Sequence, residues 1–126
     1  MPRRTHDFYE TPPHYLLALG VYLHLRPHQR VYEPCVGEGA IATWLQTTYR
    51  ASVQTNDIDP KRKAHSHYDA RNVVGWAHQP QWAITNPPFN HIDWITLQGV
   101  THCTNYITLA RLSFLEPTVA RRTLFN

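Results

Sequence analysis

From His14 to Leu25, apolar side chains recur at Leu16, Leu17, Leu19, Val21, Leu23 and Leu25. The length and composition of this run predict a helix that Pro27 would end. Val31-Tyr32-Glu33 reads as a short strand stopped by Pro34, and Gly39 to Tyr49 as a helix with Ile41, Trp44 and Leu45 on one face. Ser52 to Asn56 gives a second strand, and Trp82 to Thr85, between Pro80 and Pro87-Pro88, a third. His91 to His102 reads as helical, and Asn105 to Leu112 alternates as a further strand. Between Lys61 and Gln81 the pattern is weaker, and a short helical turn and a brief strand near His67-Tyr68 are expected. Strands alternating with helices predict one α/β domain over residues 1–126, with a mostly parallel sheet covered by helices on both faces. Ligands of such sheets bind outside the carboxyl ends of the strands, so the chemistry should lie just after each one.

Composition narrows the class. The 126 residues are 42% hydrophobic and 17% charged, which excludes intrinsic disorder. A chain of this size buries roughly two-thirds of its unfolded surface, enough for a core without staples. No apolar run reaches the ~20 residues of a membrane span and no signal peptide is visible, so a cytoplasmic protein is expected, without a membrane partner. The two cysteines, Cys35 and Cys103, do not form a disulfide framework, and the nine histidines fit no zinc spacing, so no metal is assigned. The net charge is +3, with basic clusters at Arg3-Arg4, Lys61-Arg62-Lys63 and Arg121-Arg122. These suit a polyanionic partner or an ordinary solvated surface equally well.

The first strand ends Glu33-Pro34-Cys35-Val36-Gly37-Glu38-Gly39. Gly37 and Gly39 permit a tight turn and close backbone approach to a ligand, and the following helix offers N–H groups to an anion. With Glu33 facing an ammonium group, the loop would suit the zwitterionic end of methionine; a plain turn has the same glycines. The dinucleotide pattern G-x-G-x-x-G is met only with Ala42 at its last position, which keeps a nicotinamide oxidoreductase as a poorer reading. The second strand ends Asn56-Asp57-Ile58-Asp59-Pro60. Asp57 follows the first loop at about the ~20-residue spacing of the acid that binds ribose hydroxyls. Ile58 offers an apolar face to an adenine ring, while Asp59 before Pro60 also reads as a helix N-cap. Asp69 is an isolated acid that could accept from a cofactor's adenine amino group or simply belong to a surface turn.

The third strand ends Thr85-Asn86-Pro87-Pro88-Phe89-Asn90. Pro87 and Pro88 make a rigid turn without N–H donors, leaving carbonyls to accept from a substrate. The Asn86 amide and the Pro87 carbonyl together can grip an NH₂ group, and Phe89 can stack on a flat base. An exocyclic amine on a heteroaromatic ring is a poor nucleophile because its lone pair is delocalised. Two acceptors on its hydrogens favour a tetrahedral amine aimed at a methyl sulfonium, so positioning and electrostatics carry the catalysis.

Together these segments resemble the class I S-adenosylmethionine-dependent methyltransferases that act on amino groups through an Asn/Asp-Pro-Pro-aromatic motif, and the resemblance covers almost the whole chain. It implies a Rossmann-like fold and S-adenosyl-L-methionine as cofactor. It also implies that Tyr9, Thr11 and Pro12, within Phe8 to Pro13, help hold the methionine part. Glu33 to Gly39, with Pro34 and Cys35, resembles the cofactor loop; Asp57 with Ile58, Asp69 and Asn86 complete the cofactor contacts. Asn86, Pro87, Pro88 and Phe89 match the catalytic motif. Leu109 to Leu112 and Phe114 to Pro117 look like the fifth strand and its exit in phage-like members. The implied substrate is adenine in DNA first, with RNA bases and protein glutamine amides sharing the motif. The family fold continues into a helix and an antiparallel hairpin, of which Thr118 to Phe125 would only begin the helix. A chain lacking that hairpin and any target-recognition domain would expose a sheet edge open to self-association. It would also admit the alternative of a catalytically incomplete cofactor- or nucleic-acid-binding module.

Overall fold

The computed structural model describes residues 11–110. Its core is a four-stranded sheet, every pairing parallel, in the order β2-β1-β3-β4. The strands are β1 (Arg30–Glu33), β2 (Ser52–Thr55), β3 (Trp82–Thr85) and β4 (Asn105–Thr108). The helices are α1 (Pro13–Gly20), α2 (Ala40–Tyr49) and α3 (Ile92–His102), with 3₁₀ turns at Val73–Trp76 and Phe89–His91. The α/β class and the parallel sheet expected from the alternation are therefore present, in an arrangement compatible with a Rossmann-like fold.

Successive side chains of a strand point to opposite faces, and β1 and β3 are apolar on both. Val31, Val53 and Ile84 meet Ile41, Ala42 and Leu45 of α2, with Leu16 and Leu19 of α1 packed behind them. Tyr32 and Ala83, partners in the β1–β3 register, meet Trp76 and Ile95 on the other face. Trp76 is fully buried, its indole N–H donates to the Ala70 carbonyl at 2.9 Å, and its ring stands edge-on to Tyr32. Among the described residues, no helix is long and apolar enough to cross a membrane.

The boundaries depart from the expectation in three places. Helix α1 stops at Gly20, because from Leu19 onward the apolar residues alternate rather than follow a helical period. Leu23 turns into the core while Val21 and Tyr22 stay exposed. The brief strand expected near His67-Tyr68 is a single parallel bridge between Asn56 and Ser66. Asp59 caps no helix; its carboxylate accepts from the Lys61 N–H at 2.9 Å in an isolated turn. Strand β4 is described as far as Thr108, and the predicted strand's end at Arg111-Leu112, like the Thr118 to Phe125 helix and the question of the hairpin, lies outside the described residues.

Gly99 of α3 lies flush against the ring of Tyr106 on β4, so that an added Cβ would overlap the ring. Gly99→Ala is expected to push helix and strand apart and destabilise the fold by about 1–3 kcal/mol, read from the urea midpoint. An unchanged midpoint would contradict this packing.

Candidate functional site

Strand β2 adds to one side of β1 and β3 to the other, so the direction of winding reverses between β1 and β3. At such a switch point the loops leaving neighbouring strands diverge and open a crevice at the carboxyl ends. Two of the sequence segments singled out above flank it. After Glu33 the chain turns through Gly37 (φ 56°) and Gly39 (φ 91°), a left-handed pair that only glycine adopts without strain, and enters α2. After Thr85 it runs through Asn86, Pro87 and Pro88 into the 3₁₀ turn opened by Phe89.

The crevice holds a cavity with contributions from four stretches of chain. Pro34 and Cys35 come from the first loop, and Asp57, Ile58, Asp59 and Arg62 from the exit of β2. Asp69, Ala70 and Arg71 form a further wall, and Asn86, Pro88 and His91 with Ile95 of α3 close the remaining side. Seven residues predicted from sequence thus share one cavity: Pro34, Cys35, Asp57, Ile58, Asp69, Asn86 and Pro88.

What brings the walls together is Asn56, fully buried behind the cavity. Its amide donates to the carbonyls of Pro34 at 2.9 Å and Tyr68 at 3.0 Å. Its side-chain oxygen accepts from the Ser66 hydroxyl and the Tyr68 N–H, both at 2.8 Å. Its backbone donates to Glu33 and accepts from Val36, each at 2.9 Å. Next to it, Asp57 accepts from the Gly37 N–H at 2.8 Å through one oxygen and from the Asp59 N–H at 2.9 Å through the other. The expected ribose acid therefore also fastens the glycine loop to the β2 exit, and each of its oxygens keeps a second lone pair for a ligand.

Thr11, buried at the start of the described chain, accepts from the Asn86 amide at 3.2 Å, so the N-terminal segment reaches the Asn-Pro-Pro turn. Pro12 precedes α1 as its N-cap residue, and Tyr9 lies outside the described residues. Glu33 sits beneath the cavity rather than in its wall, 1% exposed. Burial raises its pKa well above the usual carboxylate value; the Ala42 N–H opposes this and the Asp57 charge adds to it. Gly37, Gly39, Pro87 and Phe89 shape the two loops without lining the cavity.

Asp69 is both a turn residue and part of the wall. It accepts from the Arg71 N–H, and the Arg71 guanidinium grips its carboxylate with a shortest contact of 2.7 Å. Those hydrogen bonds hold the Asp69 carboxyl below its ordinary pKa. Burial, then the Asp57 charge, push the Cys35 thiol well above its usual range.

Ala70, Arg71, His91 and Ile95 also line the cavity and were not singled out from sequence, and Arg62, noted there only as part of a basic cluster, joins them. His91 was visible in principle, standing two residues past Phe89 at the start of a helix. Arg71 had no signal, because its place depends on the turn that Asp69 makes. No protein-family model, curated protein or solved structure matches this chain.

Asn56→Ala leaves the carbonyls of Pro34 and Tyr68 without their buried donors and is expected to destabilise the protein by about 2–4 kcal/mol, measured by denaturant unfolding. A loss within error of zero would refute the clamp. Glu33 binds its proton more tightly folded than unfolded, so wild-type stability falls as pH rises above the usual carboxylate pKa. Glu33→Gln removes that dependence. Its melting temperature should match the wild type near about pH 4 and exceed it near about pH 8; parallel pH profiles would show that Glu33 ionises freely.

Proposed function

We propose that this chain is a class I S-adenosylmethionine-dependent methyltransferase acting on an exocyclic amino group, first of all that of adenine in DNA. The observation that carries the reading is the meeting of Asn86 and Pro88 with Pro34, Asp57 and Asp69 in one cavity at the switch point. Asn-Pro-Pro-Phe then lies beside a nucleoside-sized set of acceptors.

The residues fit the cofactor. Asp57, Asp59 and Asp69 offer acceptors to ribose hydroxyls and a ring amine, and Ile58 and Ile95 offer apolar surface to a base. Beneath them Glu33 Oε1 is buried with no hydrogen-bond partner among the described residues, an acceptor that the N–H of an ammonium group would satisfy. S-adenosylmethionine bound there supplies an electrophilic methyl sulfonium.

The chain's own part is to hold the acceptor. The Thr11 hydroxyl takes one hydrogen of the Asn86 amide, which fixes the amide plane and turns its carbonyl oxygen away from Thr11. That oxygen and the Pro87 carbonyl accept the two amine hydrogens, so that the nitrogen lone pair points away from the ring plane. The new bond is N–CH₃, the broken one S–CH₃, and the amine proton leaves to water. Phe89, half-buried at the turn, is the aromatic residue on which the base would stack, and in duplex DNA that base must leave the stack.

The test is transfer of labelled methyl from S-adenosylmethionine to adenine-containing DNA. Wild type is expected to transfer, and Asn86→Ala to lose about 100-fold or more in kcat/KM while its cofactor affinity stays nearly unchanged. Equal loss of both would make Asn86 a builder of the pocket rather than an acceptor of the amine. Transfer to RNA or to a glutamine-bearing protein, but not to DNA, would reassign the substrate.

A further inference from the structure

We propose that a groove at the amino ends of the same strands is a docking site for single-stranded DNA. The groove encloses about 1000 Å³ against about 130 Å³ for the cavity, and it is open along its length. An extended chain fits the first, a single small molecule the second.

Its lining carries cations and no acid: Arg26 and Arg30 line it, and no aspartate or glutamate does. Arg26 and Arg30 are exposed and make no ion pair among the described residues, whereas Arg62 is paired with Glu38 and Arg71 with Asp69. Unpaired guanidinium groups over a groove without acids attract phosphates.

The sheet face beneath is wet by composition. Ser52 and Gln54 are exposed residues of β2 and line the groove, so the surface is not an apolar face awaiting a helix. Tyr68 and Val74, 48% and 55% exposed, also line it, and the tyrosine ring is a surface on which a base can stack. Two arginines, an exposed tyrosine and side-chain amides in one groove are the chemistry of single-strand recognition rather than of acidic-peptide binding. Tyr68 of the groove is followed directly in sequence by Asp69 of the cavity. The delivery of a strand to the acceptor residues rests on the proposed function; the docking itself does not.

The experiment is fluorescence anisotropy of the full chain with a labelled oligothymidylate. Thymine has no exocyclic amine, so the probe reads the groove and not the acceptor site, and Asn86→Ala should bind it as the wild type does. The double variant Arg26→Glu with Arg30→Glu is expected to bind at least tenfold more weakly. Losing two phosphate contacts should also flatten the log-log salt dependence by about 1.4, at about 0.7 per contact. Arg26→Gln with Arg30→Gln should fall between, and the melting temperature of each variant shows that the fold is intact. No binding of oligothymidylate by the wild type, or equal binding by both folded double variants, would overturn the groove. Tighter binding of duplex DNA, of oligouridylate or of polyglutamate would overturn the assignment to single-stranded DNA.

Discussion

One buried amide holds the site together. Asn56 reaches two separate stretches of chain, the β1 exit at Pro34 and the segment of Ser66 and Tyr68, and its side chain satisfies all its hydrogen-bonding capacity in doing so. In a low-dielectric interior such a network is stiff when complete and expensive when broken. The cavity walls follow from it. Pro34 and Cys35 stand at one end of the clamp, Asp69 one residue beyond the other, and Asp57 is next to Asn56 in the chain. The segment from Ser66 to Tyr68 needs no strand ladder of its own, because Asn56 supplies the bonds that further β-pairing would otherwise make.

Much of this was legible in the chain and some of it was not, for physical reasons. Strands β1 and β3 were readable because each is a short run with apolar residues between breakers, Pro34 after β1 and Pro80 and Pro87 around β3. The grouping of Asn86, Pro88, Asp57 and Asp69 followed once the sheet was taken as parallel, since residues at strand exits converge. The length of α1 was misread because composition outweighed the change from helical to alternating period after Leu19. Asn56 could not be ranked above any other strand-end asparagine, because its importance lies in partners as far away as Pro34 and Tyr68. The Asp69–Arg71 pair was hidden too, since two residues of a loop face each other only when the turn is known. The groove lay hidden for the same reason: Arg26 precedes β1 and Arg30 opens it, but His78 joins them only through the 3₁₀ turn at Val73–Trp76.

The two ends of the sheet carry different chemistry. At the carboxyl ends the chain places acids and amides with their geometry fixed by backbone N–H groups, as at Asp57, or by a hydroxyl, as at Asn86. At the amino ends it places the exposed side chains of Arg26 and Arg30. Glu33 connects core and site: burial beneath the cavity raises its carboxyl pKa, and a cation beside it would favour its ionised form.

The central claim is that the Asn56-held cavity receives S-adenosylmethionine, and calorimetric titration of the purified chain tests it most directly. The account predicts one-to-one binding of S-adenosylmethionine and of S-adenosylhomocysteine near about micromolar, or ~8 kcal/mol, abolished in Asp57→Ala with the fold retained. A chain that melts cooperatively yet gives no heat with either ligand would contradict it.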